Sequence, residues 1–316
     1  MKTVYCIGEL LIDFVAENQG SDLSKANIFT KKAGGAPANV ACAIAKLGGK
    51  SSFIGAVGKD PFGTFLLAVL KDHSVDLSRA QRIDTFTTLA FVSLAESGER
   101  DFVFGRGADK ELTYDPELKN RFKHNIVHFG AATALLGGHL EESYKRYFFD
   151  ALASDAFISF DPNFRTDLWK GTEKTFIKKC TPFIEKSYLC KFSMEEAQLL
   201  SGKTKVQDCC DVLHQLGTQL ITITLGAEGT LLSTPNFKKI IPSIAVSPID
   251  TTGAGDAFIG CLLQQLSAQK ELSSISENTE LLSQMIGLSN KAGAITTTGY
   301  GAIPSLPDQN QLLSIA

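Results

Sequence analysis

The 316-residue chain has no uninterrupted apolar run of the length that a membrane-crossing helix needs, and no signal peptide precedes the strand-like segment Val4 to Ile7. A cytoplasmic protein is expected. A basic run or charged tail is also missing: 31 Lys and Arg against 34 Asp and Glu leave a net charge of −3, which argues against DNA or an anionic membrane as partner. The seven cysteines, at 6, 42, 180, 190, 209, 210 and 261, include no Cys-x-x-Cys spacing and no histidine at zinc-ligand spacing, so they read as free thiols packed in apolar runs. The five histidines form no triad or ligand pair; His128, which ends a strand-like run, stands where it would line a cleft. Two phosphate-binding signatures are absent as well. No Gly-x-Gly-x-x-Gly fingerprint occurs, and Ser201-Gly202-Lys203-Thr204 is only the tail of a P-loop, which needs glycine where Ala197 stands and a strand where helix-like Glu195 to Leu200 stands.

What is present is an alternation of strands and helices. Strand-like runs at 4–8, 52–57, 126–129, 156–160, 188–191, 220–225 and 230–233 are separated by helix-like stretches near 38–48, 61–73, 141–153, 172–180, 194–201, 206–216 and 256–267. This pattern predicts a mainly parallel sheet with helices on both faces and ligands gathered at the carboxyl ends of its strands. With 44% hydrophobic and 21% charged residues, the chain has enough apolar surface for one large domain and a minor one. Residues 84–106 break the alternation and read as a hairpin around Glu96 to Arg100.

The most informative stretch is Ile249-Asp250-Thr251-Thr252-Gly253-Ala254-Gly255-Asp256-Ala257-Phe258. Gly253 and Gly255 permit tight turns, so the N–H groups of Ala254, Gly255 and Asp256 converge on an anion at the start of a helix. A carboxylate at Asp256 then stands ready to accept the proton of a substrate hydroxyl while the amides stabilise a transferring phosphate. The plainer reading is a glycine turn whose Asp caps the helix. Near the N-terminus, Ala33-Gly34-Gly35-Ala36-Pro37-Ala38-Asn39 again runs from glycines into a helix. Gly34 and Gly35 let a polar ligand approach the backbone, and Asn39 both donates to and accepts from hydroxyls; close helix packing by the alanines is the alternative. Ser193 with Glu196 has the spacing of a capping box, and Thr224 to Thr230 follows a strand as a turn.

In order and spacing these motifs resemble the ribokinase-like sugar kinases, the PfkB carbohydrate kinase family, over nearly the whole chain. Cys6 to Phe14, Val57 to Gly63 and Asp161 to Arg165 match further family landmarks, and the Gly-Gly-Ala-Pro-Ala-Asn wording, Gly98 to Phe102 and Asp161 to Trp169 look most like fructokinases. The resemblance implies a three-layer α/β/α kinase domain over 1–316, with a small β-sheet lid formed by about 14–32 and 84–108. It implies ATP, Mg2+ and a potassium site as cofactors, with a sugar and ATP as the small-molecule partners and a homodimer through the lid. Asp13 in the first strand, Phe104, Arg106 and Arg165 would join Gly34, Gly35 and Asn39 around the sugar. Lys191, Glu196, Thr224, Gly226, Gly229 and Asn290 would serve the nucleotide, and Asp250, Thr252, Gly301 and Ser305 the cation. Glu196 alone carries over from the family's Asn-x-x-Glu motif, since Ser193 replaces the Asn. The leading expectation is transfer of phosphate to a primary hydroxyl of D-fructose, with Asp256 as base, weakened by its place at a helix N-terminus. A 2-keto-3-deoxygluconate kinase is the rival, because Arg106 and Arg165 suit a carboxylate; a non-catalytic sugar sensor or scaffold is the alternative of another class.

Overall fold

The computed structural model describes residues 1–17, 22–94 and 100–314. Its strands are β1 Thr3–Ile7, β2 Leu11–Ala16, β3 Phe29–Gly34, β4 Lys50–Ile54, β5 Ala56–Gly58, β6 Gln81–Ile83 and β7 Leu89–Leu94. They continue with β8 Arg100–Gly105, β9 Ile126–Gly130, β10 Phe157–Asp161, β11 Leu189–Ser193, β12 Leu220–Thr224, β13 Thr230–Thr234 and β14 Phe237–Ile241. Eight of them form a central sheet in the order β14-β13-β12-β11-β10-β9-β1-β4. The strands from β12 to β4 are parallel, and β13 and β14 add an antiparallel edge.

Apart from the edge strand β14, both faces of this sheet are buried, which is why its strands read as largely apolar runs. In β1, Val4 and Cys6 pack into one hydrophobic cluster, with the helices Ala36–Lys46 and Ala254–Ser267, while Tyr5 and Ile7 pack into another, with the helices His139–Ala153 and Glu173–Lys186. That is the period-2 alternation of a strand between two helical layers. All seven cysteines are buried and unpaired.

The chain leaves the central sheet after Ile7 to build a four-stranded lid in the order β3-β2-β7-β8. Cross-strand register puts Lys32, Asp13, Ala90 and Phe104 in one row on one face. The opposite face carries Phe14, which stacks on Phe91 and meets Phe62 of the helix Pro61–Asp72 edge to face.

Several boundaries differ from expectation for local reasons. Asp13 lies on β2 of the lid rather than on the first strand, because Gly8, at φ +150, breaks the run. The run 52–57 divides at Gly55 into β4 and β5, and β5 pairs with β6 outside the main sheet. The first lid segment begins at Leu11 and ends at Gly34, and in the second residues 84–88 form no strand. Residues 96–99 of the expected turn lie outside the described residues, as do 18–21. The helix over 172–180 extends past Pro182 to Lys186. An 18-residue helix, Thr279–Thr296, was not expected; Ser289, Asn290 and Gly293 on its buried side dilute the apolar pattern.

Candidate active site

Asp256 sits in the first turn of the helix Ala254–Ser267, whose N-cap is Gly253 at φ +82. A side chain on Gly253 would be strained and would also meet Ala302, 2.4 Å from its Cβ. The Ala254 N–H turns to the carbonyl of Thr251 at 3.3 Å, and Ala257 makes the first helical bond to Gly253. This leaves the amides of Gly255 and Asp256 without an acceptor among the described residues, so two of the three expected donors of an anion hole are open to a ligand.

The second expected motif arrives beside it. Asn39, in the helix Ala36–Lys46, donates from Nδ2 to Oδ2 of Asp256 at 2.8 Å, and both side chains are buried. Its own Oδ1 is buried with no partner. A buried acceptor without a donor is costly, so this atom marks a place for a ligand hydroxyl. The glycines before it are sterically required. Gly35, at φ +109, would place a Cβ 2.5 Å from the Glu9 carbonyl, and Gly34 would place one 2.0 Å from Oδ2 of Asp13. Asp13 is thus pressed against the glycine loop. Burial pushes its carboxyl up to about 6, against the pull of Arg165 and Lys32.

Asp256 is likewise raised, chiefly by burial, although Asn39, Lys191 and Arg165 pull it down and Asp161 pushes it up. Burial therefore outweighs the Asn39 hydrogen bond and the two cations, and favours the protonated form of the carboxyl. Lys191, in the middle of β11, pairs with Asp161 at 3.0 Å, and its Nζ lies 3.0 Å from where a Gly255 Cβ would stand. Burial disfavours its ammonium, but the charges of Asp161, Glu196 and Asp256 prevail and raise it. A charged ammonium therefore abuts the Gly255 turn. Arg165 is exposed and forms no ion pair among the described residues. Arg106 pairs with the buried Asp109, Nε to Oδ2 at 3.4 Å, and Phe104 shares the lid row of Asp13.

The nucleotide-side residues are more engaged than expected. Glu196 accepts the amides of Ser193 and Phe164 on its two oxygens, each at 2.7 Å, and closes the capping box; burial raises its carboxyl against the pull of Lys191. Asn290 spends its amide on the carbonyls of Ile241 and Pro242 and accepts from Thr230, so it braces the β14 end from a buried position. Gly226 at φ +62 and Gly229 at φ +108 make the turn after β12, where Leu225 N–H bonds the Gly229 carbonyl at 2.8 Å and Thr224 bonds Phe192 O.

Asp250 ties two loops together. Oδ1 accepts from Thr252 N at 2.9 Å and Oδ2 from Gly301 N at 2.8 Å; these bonds outweigh burial and hold its carboxyl below the usual range. Ser305 lies under Gly299 of the second loop. Among the described residues no three His, Cys, Asp or Glu converge as a metal cage. His128 does not line the cleft: it is buried between strands, 3.1 Å from Ser159 Oγ, and burial lowers its imidazole to about 4.

Sequence reasoning thus left out Asp161, Glu9, Asp109 and Lys32 as site residues. Asp161 had a signal, since it ends a strand of the parallel sheet. The others depend on contacts between distant segments.

A family model described as pfkB family carbohydrate kinase matches residues 1–309. Fructokinase-1 of Zea mays is 38% identical over 324 residues, 99% of this chain and 97% of that protein. Among solved structures, a fructokinase double mutant from Vibrio cholerae O395 with fructose, ADP and potassium ion bound superimposes with a TM-score of 0.83 at 31% identity, covering 99% of this chain and 98% of the other. A fructokinase from Xylella fastidiosa with bound ATP gives 0.87 at 30% identity, covering 99% and 97%.

Proposed function

The chain belongs to the pfkB family of carbohydrate kinases, and on that premise we propose that it is an ATP-dependent fructokinase that phosphorylates a primary hydroxyl of D-fructose. The observation that carries the reading is the Asn39 to Asp256 pair, which leaves one oxygen on each residue free for hydroxyls of a neutral sugar.

In this reading Asp13, Asn39 and the Gly34-Gly35 backbone hold the sugar, and Phe104 and Arg165 close over it. Asp256 takes the proton from the primary hydroxyl as its oxygen attacks the γ-phosphorus of ATP and the bond to the β-phosphate oxygen breaks. The Gly255 and Asp256 amides and the Lys191 ammonium stabilise charge on the equatorial oxygens. Thr224, Gly226 and Gly229 line the adenosine side, with Asn290 bracing them from below. Asp161 and Glu196, paired with the single cation Lys191 among the described residues, would hold magnesium carried in on the nucleotide, which would neutralise phosphate charge there. The loops of Thr252 and Ser305 would hold potassium, with Asp250 setting the Thr252 and Gly301 amides. The lid exposes Ile28, Phe86 and Val103, which support a homodimer formed through it.

The keto-acid reading is weakened because Arg106 already faces a carboxylate, and a sensor would have no use for a buried, raised Asp256. ADP formation from MgATP with fructose, 2-keto-3-deoxygluconate, ribose, glucose or adenosine tests the assignment. Turnover chiefly on fructose supports it; silence on every sugar defeats it.

A further inference from the structure

Arg106 is the first residue after the lid strand β8, and its guanidinium spans the crevice between lid and core, Nη2 donating to the Thr133 carbonyl at 3.1 Å and Nε to Asp109. Its side chain remains 18% exposed while that of Asp109 is fully buried, and Phe104, two residues before it, lies in the lid row of Asp13, so the arginine is the accessible member and the aspartate stands behind it. The hydrogens around Asp109 are accounted for. Thr133 Oγ1 donates to Oδ2 at 2.8 Å, and Thr88 Oγ1 donates to Oδ1, because Thr88 itself accepts the amides of Gly107 and Asp109. Every neighbour of Asp109 is a donor. A carboxylate that only accepts is an anion, so Arg106 is neutralised from behind.

We propose that Asp109 is a specificity-determining positioning residue, which acts through Arg106 to keep the sugar pocket selective for neutral sugars over sugar acids. An unpaired arginine at this place would attract a carboxylate. Paired, it keeps N–H donors for hydroxyls but offers no net charge, so a sugar acid would gain Arg165 against the anions of Asp13 and Asp256, with Asp109 adding its charge from behind Arg106. Thr88 and Thr133 fix the carboxylate, and Glu9, 3.5 Å from Thr133 and bonded to the Ala36 amide, links the same network to the glycine loop.

The inference rests on the sugar-kinase reading, and one experiment separates the two. Fructose turnover by the wild-type protein tests that reading, while the ratio of kcat/KM for fructose to that for 2-keto-3-deoxygluconate, compared between wild type and Asp109→Asn, tests the inference. The ratio is expected to fall roughly tenfold or more in the variant, driven by a lower KM for the acid, as removal of a like charge allows. A purely structural role would lower both activities and leave the ratio unchanged; that result, or a wild type that prefers the acid, overturns the proposal. Should Asp109→Asn fail to fold, Arg106→Gln provides the second test. It is expected to raise KM for fructose while leaving the acid excluded, and restored use of the acid would count against the proposal.

Discussion

Asn39 and Asp256 stand 217 positions apart in sequence and meet through one hydrogen bond, Nδ2 to Oδ2 at 2.8 Å, in the buried crevice between the glycine loop and the helix Ala254–Ser267. That bond fixes the carboxylate without consuming it. It also leaves the Asn39 amide oxygen buried without a partner. Two motifs that are each ambiguous alone therefore define one site.

Replacement of Asp256 by Asn removes the base yet retains an oxygen that accepts from Asn39. Fructose-dependent ADP formation is expected to lose about 10²–10⁴ in kcat, with the thermal midpoint little changed. A folded Asp256→Asn protein with near-normal kcat would remove Asp256 from the reaction.

Gly34→Ala places its methyl 2.0 Å from Oδ2 of Asp13, a distance no packing tolerates, so Asp13 must move. The expected outcome is a rise in KM for the sugar of about tenfold or more, the equivalent of the 1–3 kcal/mol that overpacking costs, with affinity for ATP kept. Nucleotide binding followed by calorimetry provides the control, and an unchanged sugar KM would mean that Asp13 does not touch the sugar.

Lys191→Met leaves Asp161, Glu196 and Asp256 buried around a neutral side chain. Breaking a buried ion pair from one side costs roughly 3–5 kcal/mol, partly relieved when one carboxyl takes up a proton. Urea unfolding is expected to show that loss, and kcat is expected to fall with it because the anion hole loses its cation. A variant as stable as the parent would show that the three carboxylates do not depend on Lys191.

Much of this arrangement is legible in the sequence because it is local. The alternation of β1 to β12 with helices, the Gly253 turn and the Gly34-Gly35 loop each follow from spacing and residue type within a few positions. What was not legible depends on long-range pairing. Lys238 and Lys239 mask β14, and Ser289, Asn290 and Gly293 mask the helix Thr279–Thr296, because their burial is set by partners far along the chain. Likewise Asn290 looks like a ligand residue until Ile241 and Pro242 claim its amide, and Arg106 looks like a free cation until Asp109 stands behind it.

Glu9 gives the pH prediction. Its carboxyl is raised to about 7, first by burial and then by Asp109 and Asp256, with the Ala36 amide pulling the other way. In the unfolded chain a glutamate titrates near 4.3. A folded-state value above the unfolded one means that folding favours the protonated form. The stabilisation is complete below about pH 4.3 and is lost as pH rises through about 7, roughly 4 kcal/mol in all. Glu9→Gln keeps an oxygen for the Ala36 amide, places a donor beside Thr133 and has no proton to lose. Stability measured by urea unfolding should therefore shift in favour of the variant by about 2 kcal/mol between pH 5.5 and pH 8.5. Parallel pH profiles for the two proteins would show that Glu9 does not change its protonation on folding.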